Sequence, residues 1–212
     1  MDIFTLAIVG LLIVISPGAD FVLVLKNSLS HGRRAGMFSA LGISLAITVH
    51  IGYSLLGISY LISHNETLFN LIKYSGAVYL VYLGVKGIFS ANATTVITAE
   101  QDHHLPGYRY FAQGFLCNVL NPKTMLFFLS IFSQVISADD SSPVYALTYG
   151  VYMIALTYGV YMIALHGLWF ALVANLMTSA TLQQKLQRIK PLINKACGVG
   201  LVSFGAALAL KA

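Results

Sequence analysis

The chain has 212 residues, 58% of them hydrophobic and only 9% charged, with a mean hydropathy of +0.80. A soluble domain carries roughly 25% charged residues, so this chain could not cover a water-facing surface and is read against a lipid solvent. Its net charge of +5 and pI near 9.2 do not point to nucleic acid, because the few basic residues lie between apolar runs and form no stripe.

Six apolar runs are expected to span the membrane: residues 3–25, 37–62, 68–89, 111–136, 144–176 and 192–210. The first is read as a retained helix, since its start carries Asp2, no Lys or Arg, and no small-x-small cleavage site. Its middle reads "VISPGADFVLVLK". Pro17 removes a backbone N–H and clashes with the turn before it. Ser16 is a good N-cap and proline suits the first helical position, so one helix should end here and another begin. Broken backbone at membrane depth is tolerated only where it is buried or lines a cavity. Asp20 follows three residues after Pro17. A charge at that depth costs at least roughly 2.5–3.5 kcal/mol and persists when it is paired or functional.

The second run contains His50 and the small residues Gly36, Ala40 and Ser44, at a spacing that lets helix backbones approach closely. Lys73 lies one turn inside the third run and is expected to snorkel to the interface. Residues 91–110 form the longest polar connection; its His103 and His104 lack further ligands and read as solvated. The fourth run repeats the theme of the first in "GFLCNVLNPKTMLFF", with Asn121 before Pro122 and Lys123 after it. In the sixth, Gly205 and Ala209 again suit close packing. Cys117 and Cys197 form no CxxC pair, so neither a disulfide framework nor a dithiol relay is indicated.

The fifth run contains ALTYGVYMI twice in succession, as residues 146–154 and 155–163. From Val144 to Ala180 no residue is charged. About 37 helical residues extend roughly 55 Å, against a hydrocarbon core of roughly 30 Å. Removing one copy leaves roughly 42 Å, which tilt can accommodate. Nine residues turn a helix by roughly 900°, so the two copies show their tyrosines to opposite faces. The second copy, continuous with His166 and Trp169, should keep the register of the span, and the first should extend toward the outer interface.

Basic residues fall in the first connection (Lys26, Arg33, Arg34), the third (Lys86, Arg109) and the fifth (Lys185, Arg188, Lys190). The second and fourth hold only acidic charge: Glu66, Asp139 and Asp140. The basic side should be cytoplasmic, which leaves both termini periplasmic. The expected fold is an all-α integral membrane protein forming one transmembrane domain over residues 1–212. Its six helices fall into two inverted three-helix repeats, residues 1–90 and 111–212 around the 91–110 loop, with helices one and four broken at proline. Matching breaks in inverted halves are the best sequence pointer to a transporter's binding site. The restarted half-helices would face each other near the midplane, and their N-termini suit a carboxylate.

The candidate substrate site is therefore Pro17, Gly18, Asp20, Asn121, Pro122 and Lys123. Asp20 would meet an ammonium or a proton, and Lys123 with the helix ends a carboxylate; alternatively the two charges form a structural ion pair. Asp20, His50 and His166 are the candidates for proton coupling, because imidazole titrates near neutrality. Each histidine reads equally as a packing residue bonded to a carbonyl.

At these residues the chain resembles the lysine exporter (LysE/RhtB) family, and within it the homoserine/threonine efflux branch. The resemblance covers nearly the whole chain and rests on "SPGADFVLVLKNSLSHGRRAGMFSALGI", "KYSGAVYLVYLGVKG" and "NPKTMLFFLSIF". The family has Pro-Gly-Pro followed by Asp in helix one. Pro17, Gly18 and Asp20 match, while Ala19 replaces the second proline. The resemblance implies a bacterial inner-membrane exporter of amino acids, driven by the proton gradient, and not an enzyme. The expected cargo is a small neutral amino acid, homoserine or threonine, exchanged for protons. No cofactor, bound metal or nucleic acid is expected; the partners are substrate, protons and membrane lipid, with a homodimer as the candidate assembly. Two competing readings are a metal-ion exporter, which needs ligand clusters that only Asp20 and His50 approach, and a thiol-redox membrane protein using Cys117 and Cys197.

Overall fold

The computed structural model describes residues 3–64, 66–89, 105–135, 144–176 and 180–211. Every element among them is helical, as suits a chain whose backbone groups must bond to each other where water is absent. In chain order these are α1 (Ile3–Ile15), α2 (Ala19–His31), α3 (Arg33–His64), α4 (Glu66–Phe89), α5 (Gly107–Val119), α6 (Pro122–Val135), α7 (Val144–Leu176) and α8 (Ala180–Lys211). Arg33–Ser54 and Leu156–Leu176 are each long and apolar enough to cross a membrane. Two helix pairs reach that standard only when each is taken as one bent unit: α1 with α2, bent by 47°, and α5 with α6, bent by 52°.

Helix boundaries depart from the sequence expectation where polar residues extend an apolar run. Lys185, Arg188 and Lys190, expected in a connection, lie on α8, which continues through Pro191. Arg33 and Arg34 open α3, so only Gly32 separates it from α2, at a left-handed φ of 83° that glycine adopts without strain. Arg109 lies in the first turn of α5. Helical hydrogen bonding continues past the last apolar residue because a basic side chain does not disturb the backbone ladder. His103, His104, Asp139 and Asp140 lie outside the described residues, as does the side chain of Lys73.

Two apolar clusters flank the two bends. The larger joins α1, α3, α4, α6, α7 and α8 through residues such as Val9, Phe127, Phe128, Met162 and Leu201. The smaller joins α2, α3 and α7 through Phe21, Val24, Ile43 and Phe170. Trp169 packs against both. In lipid the association of helices depends on close packing, and here glycine permits it. A Cβ at Gly114 of α5 would strike the Ser39 carbonyl of α3, and α4 and α8 meet at Gly84 and Gly198.

Helix α7 contains both copies of the duplicated nonapeptide, and only the second has described side chains. Tyr158 is buried and donates to the Leu6 carbonyl at 3.3 Å; Tyr161 donates to the Ala7 carbonyl at 2.8 Å. The second copy thus fixes α7 against α1, and the membrane-length stretch Leu156–Leu176 begins inside it. Deleting residues 146–154 should leave export and membrane yield near wild type, because the joined helix keeps every one of these contacts; loss of export would refute this. Gly114→Ala should cost about 1–3 kcal/mol through overpacking and lower the yield of folded protein. Gly52→Ala, whose added methyl meets nothing within 4 Å, is the neutral control in the same assay.

Candidate functional site

The interruption between α1 and α2 covers residues 16–18. Ser16 and Pro17 do not start the second helix, contrary to the capping expected from sequence. Gly18, extended at φ −153° and ψ −160°, is the N-cap, without a side-chain hydrogen bond, and its carbonyl accepts the Val22 N–H at 3.0 Å. The restart is delayed because the Ser16 carbonyl faces outward to a different partner: it accepts Lys123 Nζ at 2.6 Å. The interruption between α5 and α6 covers residues 120–121. Pro122 is the first residue of α6, and Asn121 caps it by accepting the Lys123 N–H on Oδ1 at 3.0 Å.

The two interruptions meet. Asp20, 6% exposed, sits in the first turn of α2. Its Oδ2 accepts Asn118 Nδ2 at 2.9 Å and Asn121 Nδ2 at 3.0 Å. Its Oδ1 is buried and has no hydrogen-bond partner. Asp20 and Lys123 therefore do not form the structural ion pair that was one reading of the sequence; each bonds across the gap to a neutral group of the other half. A narrow cavity opens at this point, lined in its polar part by Ser16, Gly18, Asp20, Asn121, Lys123, Thr124 and His166. Its apolar lining includes Phe21, Phe127, Met162 and Phe170. Pro17 and Pro122 are absent from the lining and act by setting the backbone.

Of the two histidines, His166 reaches the cavity and His50 does not. His166 Nδ1 donates to the Met162 carbonyl one turn back, at 2.8 Å, which places its proton on that nitrogen. His50 is fully buried beside Asn118, with Nε2 at 3.0 Å from the Asn118 carbonyl and 3.1 Å from its Oδ1. Asn118 is the residue the sequence reading missed. It is fully buried, and its amide joins His50 on one side to Asp20 on the other. The available signal was an amide inside an apolar run, three residues before Asn121. Thr124, 3.4 Å from Asn118 Nδ2, and Tyr53, 2.7 Å from His50 Nδ1, were missed as well, being ordinary members of apolar helices. Cys117 is half-buried and Cys197 buried; both are free thiols. Among the described residues no group of three or more His, Cys, Asp or Glu stands together as a metal site would require.

The polar centre is enclosed by apolar helices and lies where the two bent helix pairs meet. The chain belongs to the LysE type translocator family, whose model matches residues 11–212. It is 32% identical over 204 residues to the membrane protein YrhP of Bacillus subtilis (strain 168), covering 93% of each chain. It is 28% identical over 208 residues to the threonine efflux protein of Escherichia coli (strain K12), covering 97% of this chain and 96% of that one. Over 138 residues, 64% of each chain, it is 34% identical to the leucine efflux protein of Salmonella choleraesuis (strain SC-B67). No solved structure matches the chain.

Asn121 has two separable duties, and two variants divide them. Asn121→Ser keeps a cap oxygen for α6 and loses the amide bonded to Asp20; Asn121→Ala loses both. The alanine variant should be less stable than the serine variant by about 1 kcal/mol in thermal denaturation in detergent. Both should lose export to a similar degree, because both leave Asp20 with one amide.

Proposed function

We propose that the chain is a secondary transporter that exports a small neutral amino acid, in the homoserine and threonine range, across the bacterial inner membrane in exchange for protons. The observation that carries this reading is the unpartnered Asp20 Oδ1, buried at the edge of the cavity. A buried acceptor without a donor is costly, and a substrate ammonium would supply the donor. The carboxylate of the same zwitterion suits the Lys123 ammonium, which lies next to the break, and the uncapped N-terminus of α2. Phe21, Phe127, Met162 and Phe170 give the lining an apolar part that suits an uncharged side chain and offers no partner to a charged one. The threonine and leucine efflux names of the relatives are in keeping with a neutral cargo.

In this reading the chain forms one domain of six spans, in two inverted repeats. The pair α1–α2 with α3 and α4 makes the first repeat, and α5–α6 with α7 and α8 makes the second. The prolines open helices one and four where the cargo binds, and both termini lie in the periplasm. Asp20, His50 and His166 are the groups available to carry protons. Binding needs the cavity to widen, which the two bends allow as hinges.

Asp20→Asn should abolish amino-acid efflux from cells, at least about tenfold, with the protein still present in the membrane fraction. Normal efflux by this variant would overturn the site. A panel of homoserine, threonine, leucine and lysine, assayed by growth inhibition and efflux with and without the chain, identifies the cargo. Export confined to lysine would overturn the neutral-substrate reading.

A further inference from the structure

His50 and Tyr53 of α3 reach across the α5–α6 interruption to both of its sides. His50 Nε2 faces two oxygens of Asn118, before the break. Tyr53 Oη lies 2.7 Å from His50 Nδ1 and 3.3 Å from the carbonyl of Met125, in the first turn after the break. The hydrogen positions follow from the partners. Asn118 Nδ2 donates to the Asp20 carboxylate, so Asn118 Oδ1 must be the atom facing His50. Both neighbours of Nε2 are then acceptors, and Nε2 carries a proton in every state of the ring.

That leaves one phenolic proton and two acceptors when the ring is neutral. Nδ1 is the nearer, so the Tyr53 hydroxyl donates to it and the Met125 carbonyl loses this bond. When the ring takes up a proton, Nδ1–H donates to the Tyr53 oxygen. The hydroxyl proton then turns to the Met125 carbonyl. The same heavy-atom arrangement serves both charge states, and only the protonated one adds the Tyr53–Met125 hydrogen bond to the packing of α6 on α3. No other candidate has this property. Asp20 Oδ2 is taken by two amides, and the ring of His166 has one bonded partner, the Met162 carbonyl.

We infer that His50 carries the coupling proton and that Tyr53 transmits its charge state to the α5–α6 break. This rests on the reading of the chain as a proton-coupled exporter. The charged and titratable groups around the network are Asp20 of α2, the Cys117 thiol of α5 beside Asp20, Lys123 of α6 and His166 of α7. Asp20 is linked to His50 through the Asn118 amide, so the two ends of one side chain report the proton and the cargo site to each other. Asn118 and Tyr53 are positioning residues in this scheme.

The test uses the full chain reconstituted in proteoliposomes, with threonine and leucine as probes. Two quantities are measured: accumulation driven by a pH gradient, and exchange of labelled for unlabelled amino acid without a gradient. His50→Gln should keep exchange within about threefold of wild type and lose at least about tenfold of gradient-driven accumulation. Wild-type accumulation by this variant overturns the inference. So does loss of exchange and accumulation together in a folded protein, since His50 would then act in binding. Tyr53→Phe removes two hydrogen bonds from the protonated state and one from the neutral state. The pH of half-maximal accumulation should therefore move to more acid values, and an unchanged profile overturns the inference even if His50→Gln does not fold. If the wild-type chain exchanges neither probe, the cargo reading fails by itself. The proton inference is then decided by the 15N shifts of the His50 ring in reconstituted protein. A ring that stays neutral from about pH 8 down to about pH 5 overturns it.

Discussion

A carboxylate buried in an apolar protein sets the terms for everything around it. Asp20 has almost no contact with water, and a charge so placed must be met by donors. Two asparagine amides meet it on one oxygen. Each amide is itself held at its other end, Asn118 by His50 and Asn121 by the N–H of Lys123 that it caps. Neither amide can turn without giving up a second bond. The position of the carboxylate is therefore fixed by a chain of satisfied groups, while its second oxygen accepts no hydrogen bond from them.

The two interrupted helices are complementary in hydrogen-bonding sense. The α1–α2 break offers acceptors, namely the Ser16 carbonyl and the Asp20 carboxylate. The α5–α6 break offers donors: two amides and the Lys123 ammonium. A helix interrupted in lipid exposes backbone groups that have no water to bond, and each break here supplies the kind of group that the other lacks. This is why the charges of Asp20 and Lys123 bond past one another to neutral partners. It is also why Pro17, although it ends α1, does not begin α2: the unwound Ser16–Gly18 segment is used as a ligand for the opposite half.

The surrounding helices hold these breaks in register by close backbone approach. Glycine at positions 84, 114 and 198 removes the side chains that would keep α3 from α5 and α4 from α8. The duplicated nonapeptide contributes to this frame through its second copy alone among the described side chains. Tyr158 and Tyr161 tie α7 to the carbonyls of α1, on the same helix that carries His166 to the cavity. A nine-residue insertion can lengthen such a helix at one end without shifting the tyrosines that matter, because the repeat restores the sequence on the side that packs.

The sequence by itself determined the helical membrane class and the family, and it drew attention to Pro17, Pro122 and the charges beside them. Each of these is a local property: apolar run length, the missing N–H of proline, and charges that lipid does not tolerate without reason. Asn121 as a cap followed from its neighbour Pro122 for the same reason. Tertiary structure alone decided who bonds to whom. Ser16 was misread as a cap because its partner lies 107 residues away on the other half. Asn118 and Tyr53 gave no strong local signal because their importance comes from His50, Asp20 and the Met125 carbonyl, which only packing brings within reach. Hydrogen bonds between distant segments have no sequence period, so a reading along the chain finds the charged groups and leaves the neutral ones that orient them to the fold.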